Sequence, residues 1–401
     1  MYLLLFFVTL SFVSYCASDK NEKSESGSAF ETEYQWTFIN FTWNNEEDHK
    51  NAVATKKYIP ENNAMAGIKF YKNNFYIAMP RVRDGTPVTL GYISTENSTK
   101  INPRIKPFPN WEMNELGDCD HLESVQSMEV DKNGTMWVLD GFRIKNNQCP
   151  PKLILFDLND DNKILQDFTF PEWICLSRGG FLNDIVIDDN DGDFAYITDN
   201  SPIDPGLIVY SREQNRAWKI RDASMFPEID ASNFVVGGLE FKALAPIDGI
   251  ALSPNRNGSR FVFYCSLSGL NLYAIRTDIL KSEETCLGGF WRYEVKKIGQ
   301  KQAQSDGLVV DNKGDLYYGL LPLHGVGKWN IYKPFSTAEI VAQNNETMIW
   351  TDSFALDDKG FLYLLANNIH KFFDSDYKLE ISDEVKFRIL KLFTSSKSYL
   401  Y

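Results

Sequence analysis

Five short polar groups recur at one place relative to apolar runs: Ser127, Asn183-Asp184, Asp248, Ser305-Asp306 and Thr351-Asp352-Ser353 each open a strand-like stretch. Carboxylates, amides and hydroxyls gathered from separate segments can hold a cation, either a hard metal ion or an organic ammonium. A single such residue more often ties down a neighbouring backbone amide, so the set as a whole carries the signal. Phe181, just ahead of Asn183, and Phe354 are candidate aromatic walls for such a site. Motifs for other chemistry are missing: there is no GxSxG, HExxH, P-loop, CxxC or GxGxxG, and His49, His121, His324 and His370 lack metal-ligand spacing. The residues read as a binding site without cofactor, metal or catalytic group. The alternative is a calcium-dependent hydrolase or lactonase, with Asn183, Asp184, Asp248 and Asp306 as oxygen ligands.

These polar groups stand on a repeat. The stretches GIKFYKNNFYIAMP, SMEVDKNGTMWVLD, DIVIDDNDGDFAYITD, DGIALSPNRNGSRFVFYCSLSG, DGLVVDNKGDLYYGLL and SFALDDKGFLYLLANN start at Gly67, Ser127, Asp184, Asp248, Asp306 and Ser353. Their starts lie 60, 57, 64, 58 and 47 residues apart, a quasi-regular period that marks one supersecondary unit repeated. Each copy is an apolar run, an Asp/Asn/Gly cluster and an aromatic-rich run, which is a β-hairpin. Gly134, Gly192, Gly258, Gly314 and Gly360 occupy the left-handed turn position, with Asn73-Asn74 replacing them in the first copy. The period leaves room for two further strands per unit, and six four-stranded units arranged radially make an all-β, six-bladed β-propeller with a central ligand channel. A large sandwich or pair of sandwiches does not predict six evenly spaced turns. The run WTFINFTW, Trp36 to Trp43, and the run FRILKLF, Phe387 to Phe393, are expected to close the ring in one shared blade.

Residues 1–18, MYLLLFFVTLSFVSYCAS, have the length and apolarity of a signal peptide, residues 19–33 read as a flexible polar leader, and residues 34–401 form the single propeller domain. A secreted, extracellular chain follows, with a membrane anchor as the rival reading of the first segment; no later run is apolar enough to span a bilayer. Beyond Cys16, five cysteines remain, and the expected pairs are Cys119 with Cys149 and Cys265 with Cys286, leaving Cys175 as the spare thiol. Sequons at Asn40, Asn97, Asn133, Asn257 and Asn345 fit a secreted glycoprotein. The formal charge of −13 repels phosphate backbones and anionic headgroups and attracts cations, so neither nucleic acid nor membrane is an expected partner. The chain is expected to be a monomer.

The segments GDCDHLESVQSMEVDKNGTMWVLDGFR, CPPKLILFDL, LNDIVIDD, AYITDNSPIDPGLIVYSREQNRAWKI and SDGLVVDNKGDLYYGLL resemble the yellow and major royal jelly protein family of insects, a likeness running from about Trp36 to Phe373. Within it the chain is similar to the salivary yellow-related proteins of blood-feeding sand flies. That resemblance implies a six-bladed propeller that is no enzyme and sequesters biogenic amines (serotonin, catecholamines, in some members histamine) in its channel, countering host haemostasis and inflammation. It also implies that Thr351 and Asn367 hold the amine, with Ile369 at a position the family fills with an aromatic ring. Pigment-pathway relatives offer dopachrome conversion as a further alternative, and some royal jelly members a nutritive role without a small ligand.

Overall fold

In three of the repeats the turn is built by the hairpin's own aspartate. Asp131 Oδ1 accepts the amides of Asn133 and Thr135, both at 2.8 Å. Asp311 repeats this with Lys313 and Asp315, both at 2.9 Å, and Asp357 with Lys359 and Phe361 at 2.9 and 2.8 Å. Gly134, Gly314 and Gly360 take the left-handed conformation, φ 86°, 86° and 98°, that lets the chain reverse inside that clasp. In the first copy it is Lys72, φ 52°, and not an asparagine that adopts it.

This computed structural model describes residues 30–401 except 142–148, 190–192, 257, 259 and 375. The expected signal peptide, residues 19–29 of the leader, Gly192 and the Asn257 sequon lie outside the described residues. The six hairpins are the inner halves of six four-stranded antiparallel sheets. Their innermost strands are Gly67–Tyr71, Val125–Val130, Leu182–Asp188, Ile247–Leu252, Leu308–Val310 and Trp350–Leu356, each touching the next around a closed ring. The architecture is the all-β six-bladed propeller. Blades pack face to face, and alternation along each strand sends successive side chains to opposite neighbours.

The ring closes through Glu31–Trp36, which pairs antiparallel with Phe387–Phe393. The partner strand is the expected one, but the first strand ends at Trp36 where the sequence reading had it begin, so residues 31–33 belong to the blade and not to the leader. Tyr34 and Trp36 provide the buried alternation, and Glu33 ties the edge to Lys391 at 2.7 Å. Beyond Trp36 the chain is pulled out of the sheet: the Trp36 indole donates to Pro103 O at 2.9 Å and Thr37 N to Asn102 Oδ1 at 2.8 Å. Phe41 and Trp43 then pack with Tyr58 and Trp111 outside the blade.

Cys119 and Cys149 are disulfide-bonded as expected. The expected Cys265–Cys286 bond is absent: both are buried thiols outside any disulfide. Cys265, in the fourth-blade strand Phe261–Ser266, faces the fifth blade beside Leu308 and Leu316, whereas Cys286, on the helix Glu283–Gly288, packs with Trp218 and Leu280 on the opposite face of the fourth blade. A sheet separates the two sulfurs. Among the sequons, Asn97, Asn133 and Asn345 are exposed, while Asn40 turns its carbonyl inward to the Phe41 amide and the Trp43 indole, at 2.8 and 3.1 Å.

The C-terminal tail seals one end of the channel. Ser398 bridges to Asp311, Asn312 N donates to Lys397 O at 2.8 Å, and the buried Tyr399 hydroxyl accepts from Ile187 N at 3.0 Å and donates to Glu129 Oε2 at 3.3 Å. Only a small hollow of about 110 Å³ remains there, lined by Lys69, Glu129 and Phe354 among others.

Where inner strands approach most closely, glycine is obligatory. A Cβ on Gly249 would lie 2.1 Å from Asp306 O, and one on Gly307 would lie 1.9 Å from Asp352 O. Gly307→Ala should therefore lower unfolding free energy by about 2–4 kcal/mol in a urea titration. Gly288→Ala, with open space at its Cβ, should change it by less than about 1 kcal/mol. Mass spectrometry after alkylation under denaturing, non-reducing conditions should find Cys175, Cys265 and Cys286 modified and Cys119 and Cys149 protected.

Candidate functional site

At the end opposite the tail, four inner strands carry a β-bulge in their first turn of pleat: between Val125 and Ser127, Leu182 and Ile185, Ile247 and Ile250, and Thr351 and Ser353. A bulge adds an unpaired residue and re-aims its side chain. The residues so displaced are Gln126, Asn183-Asp184, Asp248-Gly249 and Asp352. With Asp306 they bring four carboxylates from four consecutive blades to the axis.

Each carboxylate is held by its own hydrogen bonds. Asn183 Nδ2 and Asn200 Nδ2 donate to the two oxygens of Asp248, the latter at 2.9 Å. Asp248 and Asp306 are hydrogen-bonded to each other, and the Trp350 indole donates to Asp306 Oδ2 at 2.6 Å. Asn367 Nδ2 donates to Asp352 Oδ2 at 2.6 Å and to Met65 O at 2.7 Å, while its carbonyl accepts Ile369 N at 3.0 Å. Asp184 accepts from Ser127 Oγ at 2.9 Å and from Ile185 N at 2.9 Å.

The electrostatics of the two ends differ. Burial raises Asp184 above the usual carboxylate range, and Lys69, which pairs with Glu129 at 3.3 Å on the tail side, offsets part of that rise. Asp248, Asp306 and Asp352 have amides, an indole and one another as side-chain partners, and none of the described ion pairs reaches them. Burial first and mutual repulsion second push Asp248 and Asp352 well above the usual carboxylate range. Asp306 is pushed up to about 7, chiefly by burial, with the indole and Asp248 hydrogen bonds pulling the other way. Among the described residues no ion pair reaches this floor, and burial favours its uncharged form.

Above these carboxylates lies a cavity of about 500 Å³. Its walls are Phe181, Phe241, Trp350, Ile369, His370 and Phe373, with Asn183, Asn200, Asp248, Asp306 and Asp352 below. Phe241 meets Trp350 edge-on at 5.3 Å, and His370 stacks on the same indole at 5.5 Å and 12°. Phe241 comes from a hairpin outside the six blades, Asn233–Val236 with Leu239–Lys242, which forms the rim. Glu240 and Lys242 on that rim pair with each other at 2.8 Å.

Of the residues singled out from sequence, Phe181, Asn183 and Ile369 line this cavity. Asn367 sits behind it, joining the Asp352 carboxylate to the backbone that carries Ile369. Thr351 is fully buried behind the wall, its Oγ1 accepting Leu320 N at 3.1 Å, because strand alternation turns it away from the axis. Phe354 lies at the tail end of its strand beside Glu129 and Tyr399, away from the cavity. Trp350, Phe241 and His370 were missed. Gly237-Gly238 between NFVV and LEFK is a readable hairpin signal, but nothing in the sequence places that hairpin over the axis. For a hard cation the oxygens fit poorly: they are engaged as above, and among the described residues no three His, Cys, Asp or Glu side chains converge as a metal site.

A six-bladed propeller with an axial cavity open at one end, acidic below and aromatic above, is the class that fold and site define. The sequence profile described as Major royal jelly protein matches residues 123–397, and the chain belongs to that family. Curated relatives include Protein yellow of Drosophila yakuba, 28% identical over 97% of this chain and 71% of that protein, and Protein yellow of Drosophila melanogaster, 28% identical over 89% and 67%. Among solved structures, a luciferin-regenerating enzyme is similar at TM-score 0.49 and 11% identity, covering 83% of this chain and 92% of that one. Regucalcin from Agrobacterium tumefaciens is similar at TM-score 0.48 and 10% identity, covering 83% and 91%.

The raised Asp306 carboxyl favours the folded state while protonated, so its contribution is complete below about pH 4 and is lost as pH rises through about 7. The melting temperature of the unliganded protein should fall across that window. Asp306→Asn should flatten the fall and melt above wild type at about pH 8, as differential scanning calorimetry would show.

Proposed function

We propose that this chain is a secreted, non-enzymatic binder of aromatic biogenic amines, acting by sequestration in the axial cavity. The observation that carries the reading is the acidic floor without an internal counter-charge, set beneath a slot of aromatic rings. A primary ammonium replaces the missing cation, taking carboxylate oxygens from adjacent blades, and its ring fills the space between Phe181, Phe241 and Trp350. A protein that only sequesters needs affinity and no turnover, which agrees with a site offering acceptors and walls and no activated nucleophile. Family membership supports the reading, and the resemblance to the salivary branch supports secretion into saliva.

Binding a cation to protonated carboxyls must release protons. Affinity for serotonin should therefore rise as pH increases through about 7, the amine itself staying protonated. Isothermal titration in buffers of different ionisation enthalpy measures that release directly. At neutral pH wild type should give a one-to-one isotherm, and Asp306→Asn should weaken it by about 10–100-fold, the effect of losing one charge-assisted bond. Thr351→Ala should cost stability more than affinity, since its hydroxyl serves the Leu320 amide. A flat wild-type trace with serotonin, dopamine and histamine rejects the proposal, and dopachrome decay with and without protein then tests the enzymatic alternative.

A further inference from the structure

Most polar atoms of the cavity floor are spent on one another, and two oxygens are not. Asp352 Oδ2 accepts Asn367 Nδ2 at 2.6 Å, while its Oδ1 accepts from no described group. Asn183 gives its Nδ2 to Asp248, and its carbonyl oxygen likewise has no described donor. Both residues line the cavity, at 6% and 7% exposure, and neither oxygen is shut away from accessible surface as Gln126 Oε1 is. Asp306, which lines the same space, is only half-buried. Asp248 differs: its two oxygens accept amides, and it also bonds Asp306, which two carboxyls can do only by sharing a proton. The open acceptors are thus an amide oxygen on the third blade and carboxylates on the fifth and sixth. The wall ring bonded to this floor offers a cation little. His370 covers one face of the Trp350 indole, and the N–H edge is turned to Asp306. A quaternary ammonium is held by several ring faces around it, whereas an ammonium with hydrogens is held by acceptors.

We infer that Asp352 and Asn183, acting with Asp306, are specificity residues that select primary ammonium groups over N-methylated ones, each residue taking one of the three N–H donors. The inference rests on the amine reading above. Methylating the nitrogen keeps its positive charge and removes a donor, so the attraction of the acidic floor is retained while one acceptor is left desolvated and unmet. Polar sites reject analogues lacking a group in this way. Asp352 is held for the task from behind: Asn367, which takes its other oxygen, is itself fixed by Met65 O at 2.7 Å and by the Ile369 amide at 3.0 Å. The free oxygen is therefore the one left for the cavity.

Calorimetric titration of the full chain at neutral pH with tryptamine and its N-methyl, N,N-dimethyl and N,N,N-trimethyl derivatives tests this, with α-methyltryptamine as the control for bulk. That control is the isomer of N-methyltryptamine with the added methyl on carbon, so it matches the size and keeps all three donors. Wild type should lose about tenfold or more in affinity for each hydrogen replaced, the worth of one charge-assisted hydrogen bond. It should also bind α-methyltryptamine about tenfold tighter than N-methyltryptamine. Asp352→Asn keeps the shape; because Asn367 Nδ2 needs an acceptor, the new amide must turn its NH2 toward the cavity. It should weaken every amine through the lost charge and, beyond that, narrow the ratio of tryptamine to its N,N-dimethyl derivative by about tenfold. Equal affinities along the wild-type series, equal binding of the two methyl isomers, or a ratio unchanged in Asp352→Asn overturns the inference and leaves amine binding standing. No binding of any of the five amines by wild type overturns both. Should Asp352→Asn not fold, the wild-type series with its isomer control decides the matter alone.

Discussion

Six inner strands converge on one axis, and their backbones can touch only where a side chain is missing. Gly249 against Asp306 O and Gly307 against Asp352 O are two such places, and the Gly307 amide donates to Asp352 O at 2.7 Å. Because an aspartate precedes each of these glycines, close approach of the backbones carries the carboxylates of neighbouring blades toward one another. The bulges at the same level turn them to the axis instead of into the blade interfaces. Packing of the scaffold and composition of the site are therefore one constraint seen twice.

That constraint has an electrostatic consequence. Carboxylates crowded in a desolvated channel cannot all ionise without a cation. At the tail end the protein supplies one, Lys69, and Tyr399 caps the remainder. At the open end the described partners are neutral donors, so the charge deficit is left for protons or for a ligand to meet. On the proposed amine-binding function, the aromatic slot above would receive the ligand's ring.

Much of this was readable from residue order. The Asp-x-x-Gly turns announced the hairpins because the motif is locally complete: one carboxylate, two amides and one left-handed residue within five positions satisfy each other without help from elsewhere. The period announced the blades, and the polar residues opening each inner strand announced the carboxylate ring. Short-range pairing of Cys119 and Cys149 was also recovered. The Cys265 and Cys286 pairing failed because sequence distance does not say on which face of a sheet a side chain lies.

The sequence by itself thus determined what rests on local hydrogen bonding and on a repeat: hairpins, turns, blade number and the acidic inner ends. Only the tertiary structure decided which side chains share the cavity. It turned Thr351 into a blade interface and Phe354 toward the tail, and it carried Phe241 in from a hairpin outside the blades. Trp350 was brought between Asp306 and His370 in the same way. These placements depend on bulge position and on contacts between segments tens to hundreds of residues apart, and no local pattern encodes either.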